Sequence, residues 1–188
     1  ENDLYLARFL VRELSDRFGL ALRIEKTAAL PSDKKYILMG RFDNPLVRKY
    51  FAGQNLVVTA ENPGSEGYVL RVEPDAAVIA GSDAQGAFYG LQSLRQIINR
   101  GEGHYIRCMQ VRDWPTLPFR GVRLYIPGRE NITFFKRFLR DFMALYKYNK
   151  VIIEMNACMR LDRHPELNAG WIEFAKNLNY TRRSRARG

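Results

Sequence analysis

The stretch Gly86-Ala87-Phe88-Tyr89-Gly90-Leu91-Gln92-Ser93-Leu94-Arg95-Gln96 predicts a helix that lies close against a sheet. Asp83 precedes it as an N-cap, because a short carboxylate can accept from the free amides of a first helical turn. Phe88, Leu91, Leu94, Ile97 and Ile98 recur at helical spacing and form the expected buried stripe. Gly86 and Gly90 stand about one turn apart, so a face without side chains is available for close approach. Phe88 and Tyr89 bring the largest apolar area, and Phe88 is expected to be buried between helix and sheet.

The residues on either side supply that sheet. The turn Pro63-Gly64-Ser65-Glu66-Gly67 leads into Tyr68, Leu70 and Val72, which alternate as a strand does. Pro74-Asp75 reverses the chain, and Ala77 to Ala80 returns, which predicts a hairpin. Further upstream, Leu6, Leu10 and Leu14 predict an amphipathic helix over 3–18, stopped by Gly19. Leu20, Leu22 and Ile24 alternate with Ala21, Arg23 and Glu25, which predicts a half-buried strand. Short strands are also expected at Tyr36 to Met39, Leu56 to Thr59 and 104–111, and Asn44-Pro45 opens a brief helix through Tyr50. Residues 1–113 therefore read as an α+β domain, an antiparallel or mixed sheet with helices on one face.

Arg112-Asp113-Trp114-Pro115-Thr116-Leu117-Pro118 breaks the pattern, since its prolines exclude a helix interior, and residues 114–120 are the expected linker. Beyond it the rhythm changes to β-α-β-α. Gly121 to Ile126 is strand-like, and 132–146 is helical with Phe135, Phe138, Leu139, Phe142 and Leu145 inward. Val151 to Met155 is an apolar strand and Ala169 to Leu178 a helix. That order implies parallel strands joined by crossover helices, so 121–188 is expected to be an incomplete α/β segment like the start of a TIM barrel.

Composition narrows the function classes. The chain has 188 residues, 46% hydrophobic and 12% aromatic, enough for a real core. No run reaches the ~18–20 apolar residues that a membrane span requires. Glu1 is not Met, which leaves open a removed leader or a cut from a longer protein. Cys108 and Cys158 fit neither a disulfide framework nor a metal cluster and are expected to be buried thiols. The net charge of +10 is spread along helices (Arg95, Arg100, Lys136, Arg137, Arg140) or gathered in Arg182, Arg183, Arg185 and Arg187. No basic stretch is interleaved with aromatics, so a solvated surface with an unstructured basic tail is expected rather than a nucleic-acid interface.

Three motifs resemble glycoside hydrolase family 20, the β-N-acetylhexosaminidases. The helix at 86–96 is similar to the G-x-F-Y-G-x-Q-T-L-x-Q helix of the accessory domain that precedes that family's barrel. Val111-Arg112-Asp113-Trp114-Pro115, followed by Phe119-Arg120-Gly121, resembles the junction into barrel strand one. Lys147-Tyr148-Asn149-Lys150-Val151 resembles the entry into strand two. The resemblance covers about 65–155 and implies hydrolysis of terminal β-linked N-acetylhexosamine with retention, the substrate's acetamido group acting as nucleophile. It implies no cofactor, a carbohydrate partner, and a secreted, periplasmic or lysosomal setting.

In that family an adjacent Asp-Glu pair orients the acetamido group and supplies the general acid. No Asp-Glu dipeptide occurs among the 188 residues, so the resemblance implies a fragment that is inactive alone. An Arg after strand one binds sugar hydroxyls in the family; Arg129 falls one residue late, and Tyr125 stands where Asp is usual. Arg129 is thus a candidate sugar ligand, or else a partner of Glu130 or a helix cap. Glu154 and Asn156 fall at the rim of strand two and are further substrate-binding candidates, or else satisfy loop backbone. His164, Asp162 and Glu166 suggest a metal site only superficially, because no second His is near. His104 is expected to be structural. The competing reading is a non-catalytic carbohydrate-binding or scaffolding module.

Overall fold

The computed structural model describes residues 2–52, 59, 61–101, 103–154 and 161–185. The chain divides into two compact units, one of Glu1–Arg120 with Arg137–Tyr148, the other of Gly121–Lys136 with Asn149–Gly188.

In the first unit, helix α1 (Asn2–Phe18) is followed by strand β1 (Tyr36–Arg41) and helix α2 (Pro45–Phe51). Strands β2 (Tyr68–Val72) and β3 (Ala76–Gly81) form the expected hairpin, and helix α3 (Ala84–Ile97) follows. A small hairpin of β4 (Asn99–Gly101) and β5 (Gly103–Tyr105) precedes β6 (Met109–Asp113). The main sheet is mixed, in the order β1-β3-β2-β6, with β1 and β3 parallel and the other pairs antiparallel.

Local chemistry sets the helix ends. Asp83 accepts from the Gly86 amide at 2.7 Å, and Asn44 accepts from the Leu46 amide at 3.0 Å with Pro45 at the first position. Gly19 closes α1 at a left-handed φ of 65°, while the Leu20 amide donates to the Leu14 carbonyl at 3.2 Å.

The glycine face of α3 behaves as its spacing predicts. A Cβ on Gly86 would overlap the Gly67 carbonyl oxygen, and one on Gly90 would lie 2.5 Å from Ile79 Cγ2. Leu91 and Leu94 are fully buried on that face, each worth about 1.5–3 kcal/mol of burial. Phe88 is only half-buried: it sits edge-on to Phe9 of α1, and the aromatic lost from solvent is Tyr89. The rest of the expected stripe holds, with Leu91 and Leu94 in the core and Ile97 and Ile98 packed against it, while Phe88 turns toward α1 and Gly90 makes the close approach to Ile79 and Tyr68.

Helices cover both faces of this sheet, not one. Leu70, Val72, Ala77 and Ile79 pack with Leu6, Leu10, Leu14, Leu91 and Leu94. The alternate residues Val69, Val78 and Ala80 pack with Val47 and Phe51 of α2, because successive strand side chains point to opposite faces. An ionic network lies beside the first core. The Arg95 guanidinium pairs with Glu13 and donates to Gln92, and Arg17 and Arg140 also reach Glu13, at 3.0 and 3.6 Å.

Three further expectations fail in this unit. Residues 20–25 form no strand: Leu22 and Ile24 are exposed, and no neighbouring strand pairs with them among the described residues. The strand expected at 104–111 is split between β5 and β6. Cys108 is an exposed free thiol rather than a buried one. The expected strand at 56–59 falls mostly outside the described residues, as does Cys158.

In the second unit, β7 (Gly121–Tyr125) and β8 (Lys150–Glu154) pair in parallel. A 3₁₀ turn (Arg129–Asn131) opens helix α4 (Ile132–Arg137), which passes into a π-helical segment (Phe138–Met143) returning to the first unit. There the expected inward stripe slips, because the Ala144 amide donates to the Leu139 carbonyl, five residues back, at 2.8 Å. Met143 is buried at 3% exposure while Phe142 is 44% exposed. Helix α5 (Pro165–Arg185) starts earlier and runs longer than expected, so the basic stretch is helical through Arg185 rather than unstructured.

Candidate functional site

Two places gather the residues that the sequence singles out. The first is the C-terminal end of the β7–β8 pair. Parallel pairing sets Tyr125 opposite Glu154, so the loops that follow both strands leave from the same end. The Ile126 amide donates to the Glu154 carbonyl at 3.0 Å and ties those ends together. The Glu154 carboxylate lies 3.2 Å from Arg123 Nε, an ion pair; its Oε2 is sealed from solvent and has no aligned hydrogen bond. Glu154 is therefore held by a cation of its own sheet.

Arg129 opens the 3₁₀ turn and is exposed. It forms no ion pair with Glu130 among the described residues. The Glu130 carboxylate instead folds back over Gly128, where a Cβ would collide with it. Asn156 lies outside the described residues. His164 pairs with Glu166 at 3.2 Å on the surface, and no group of three or more metal-ligating side chains occurs among the described residues.

The second place lies wholly in the first unit, where the motif residues meet. Lys147 Nζ donates to Asp113 Oδ2 at 2.7 Å and to the Tyr68 hydroxyl at 2.8 Å. Tyr68 donates to Asp113 Oδ2 at 3.0 Å and also touches the Ser93 hydroxyl. Lys147 sits 4.9 Å from the Tyr68 ring centroid, a cation–π contact. Burial opposes the charge on Asp113, yet hydrogen bonds from Lys147 and Tyr68 prevail and hold its carboxyl below the ordinary range. Burial likewise opposes the charge on Lys147, and its bonds to Asp113 and Tyr68 raise it above its ordinary value.

Arg120 completes the arrangement. It pairs with Glu66, donates from Nε to the Lys147 carbonyl at 2.8 Å and from a terminal nitrogen to the Leu117 carbonyl at 2.8 Å, and lies over the Tyr89 ring. The points where the chain leaves this unit, after Arg120 and after Tyr148, are thus both fastened. These polar groups are engaged with one another, so this cluster holds the backbone.

Sequence reasoning named Asp113, Arg120 and Lys147 as motif residues without finding that they converge. Tyr68 and Glu66 carried no signal beyond strand and turn. Arg123 could have been read from its place on β7 opposite β8, which Glu154 ends.

A sequence model described as glycosyl hydrolase family 20, domain 2, matches residues 2–114. A β-hexosaminidase of Akkermansia muciniphila is 33% identical over 114 residues, covering 57% of this chain and 20% of that protein. A β-hexosaminidase of Vibrio vulnificus is 34% identical over 127 residues, covering 65% of this chain and 14% of that protein. The chain thus spans a fifth or less of the curated relatives' length. Among solved structures, the protein designated CpGH84D superposes with a TM-score of 0.66 at 26% identity, covering 82% of this chain and 26% of that one. The exo-β-N-acetylglucosaminidase of Vibrio harveyi shares the fold, with a TM-score of 0.55 at 19% identity, covering 82% of this chain and 21% of that one.

Proposed function

Because this chain belongs to glycosyl hydrolase family 20 through residues 2–114, we propose that it is the front of a β-N-acetylhexosaminidase. Residues 1–113 are the accessory domain, 114–120 the linker, and 121–188 the opening βα units of a (β/α)8 barrel. The observation that carries this reading is the convergence of Asp113, Arg120 and Lys147 on Tyr68 and Glu66. It gives a physical purpose to motifs that lie far apart in the sequence, namely fastening the residues that lead into β7 and β8.

The barrel assignment draws support from the second unit itself. Val151, Ile152 and Ile153 are consecutive, point to alternating faces, and are all exposed. A parallel strand with apolar residues on both faces belongs in a sheet covered on both sides. The likeness to CpGH84D also takes in 82% of the chain, more than residues 2–114 alone supply.

In such an enzyme the barrel's catalytic face lies at the C-terminal strand ends, where Glu154 and the loop bearing Arg129 are found. Arg129, Glu154 and Asn156 are proposed to contact the sugar. The acid and the acetamido-orienting residue come from further along the barrel, and the 188 residues contain no Asp-Glu dipeptide to serve. The test is turnover of a chromogenic β-N-acetylglucosaminide by the parent protein that carries this chain, with the product anomer followed by NMR. Hydrolysis with retention is expected. No turnover would favour a carbohydrate-binding or scaffolding module, and inversion would contradict the substrate-assisted route.

A further inference from the structure

A cleft of about 620 Å³ opens at the β1 edge of the first unit, between the 31–35 segment and the 73–76 turn. That volume lies within the ~300–1,000 Å³ of small-molecule sites. Tyr36 and Tyr50 form part of its wall, each half-buried with one side against the core that α2 covers. Glu73 lies between them, fixed from two sides: Arg71 Nε donates to Oε1 at 2.8 Å and the Tyr50 hydroxyl donates to Oε2 at 2.8 Å. The turn beneath is tied by backbone hydrogen bonds, the Glu73 amide donating to the Ala76 carbonyl at 2.8 Å and the Tyr36 amide to the Asp75 carbonyl at 3.1 Å.

The charge of the lining decides what fits. Lys34 is committed to Glu25 at 2.6 Å, and Glu73 is compensated by Arg71 at 2.7 Å. Asp33, Lys35 and Asp75 remain on the lining, with both signs present and neither dominant. A phosphate or a polyanion would meet carboxylates, and a cation would meet lysine. Burial, together with the Glu73 carboxylate, pushes the Tyr50 phenol above its ordinary value, so it remains a neutral donor. Phenol rings beside hydrogen-bonding groups of mixed character suit a ligand with apolar ring faces and many hydroxyls.

We propose that this cleft is a carbohydrate-binding site for a neutral saccharide chain, with Tyr36 as the stacking platform and Glu73 and Asp75 as hydroxyl acceptors. It lies on a domain that supplies no catalytic group in the function proposed above, so it would bind substrate without cleaving it. The choice of N-acetylglucosamine as the sugar rests on that function; the neutral polyol chemistry rests on the cleft alone.

The test is an amide-resolved NMR titration of the 188-residue chain with short soluble oligomers of N-acetylglucosamine, and in parallel with glucose oligomers. Shift changes confined to 31–36, 50 and 73–76 are expected. Tyr36→Ala should weaken binding roughly tenfold, and Asp75→Ala, at an exposed turn that leaves the core intact, several-fold. Absence of shifts with both sugars, shifts elsewhere, or unchanged affinity in both variants would overturn the inference. Binding of glucose oligomers alone would keep the cleft and tell against the proposed sugar class. Hydrolysis by the parent protein without cleft binding would remove only this inference.

Discussion

At the scale of single residues, the close contacts of α3 carry the most weight. Gly90 packs against Ile79 and the Tyr68 ring, so Gly90→Ala should destabilise by about 1–3 kcal/mol, the range for forcing a methyl into a packed core. Its higher helix propensity would by itself favour Ala by about 1 kcal/mol, so a measured gain in the denaturant midpoint would show that the contact is not tight. The Lys147–Asp113 pair sets a pH window. Asp113 is held below its ordinary value near ~3.9, so its stabilisation is present above about pH 4 and fades as pH falls. Lys147 is held above its ordinary value near ~10.4, so its part is present below about pH 10 and fades as pH rises. Asp113→Asn should therefore flatten the acid limb of the stability–pH curve, with Asp141 retaining its share because it too is held low by Arg140. An unchanged acid limb would mean that the pair contributes nothing. The caps at Asp83 and Asn44 were legible because each acts on an amide within three residues. The Tyr68–Lys147 contact was not, because it joins positions 79 residues apart and depends on the folded sheet.

At the scale of elements, periodicity succeeds where the backbone keeps its period. The β2–β3 hairpin and α1 fall where their alternation and four-residue spacing set them. Residues 20–25 alternate just as well, yet among the described residues no strand pairs with them, since a ladder needs a partner and alternation cannot specify one. The π-helical segment is the other failure. Sequence spacing presumes 3.6 residues per turn, and one widened turn carries Met143 inward in place of Phe142. Met143→Ala should then cost about 2–5 kcal/mol, whereas Phe142→Ala should lose ring contacts with Phe138, Tyr146 and Tyr148, about 1 kcal/mol. The reverse order in paired denaturant curves would mean that an ordinary α-helix persists there.

At the scale of the whole molecule, the two units differ in how much of their apolar surface they cover. The first encloses residues such as Val69, Leu70, Val78 and Ile79, all without solvent exposure. The second leaves Tyr125, Ile152, Phe134 and Ile172 about half exposed or more. Among the described residues no helix is long and apolar enough to cross a membrane. The proposed explanation of the exposure is a barrel whose remaining strands and helices would cover it. The sequence carried the rhythm of that second unit but not its closure, because two βα units cannot complete a barrel. Hydrogen exchange read by mass spectrometry tests this most directly, comparing the 188-residue chain with the parent protein. In the chain alone, amides of β2 and β3 should exchange slowly and those of β7 and β8 fast; in the parent protein β7 and β8 should become as slow as β2 and β3. Equal protection of β7 and β8 with and without the rest of the protein would contradict the barrel assignment.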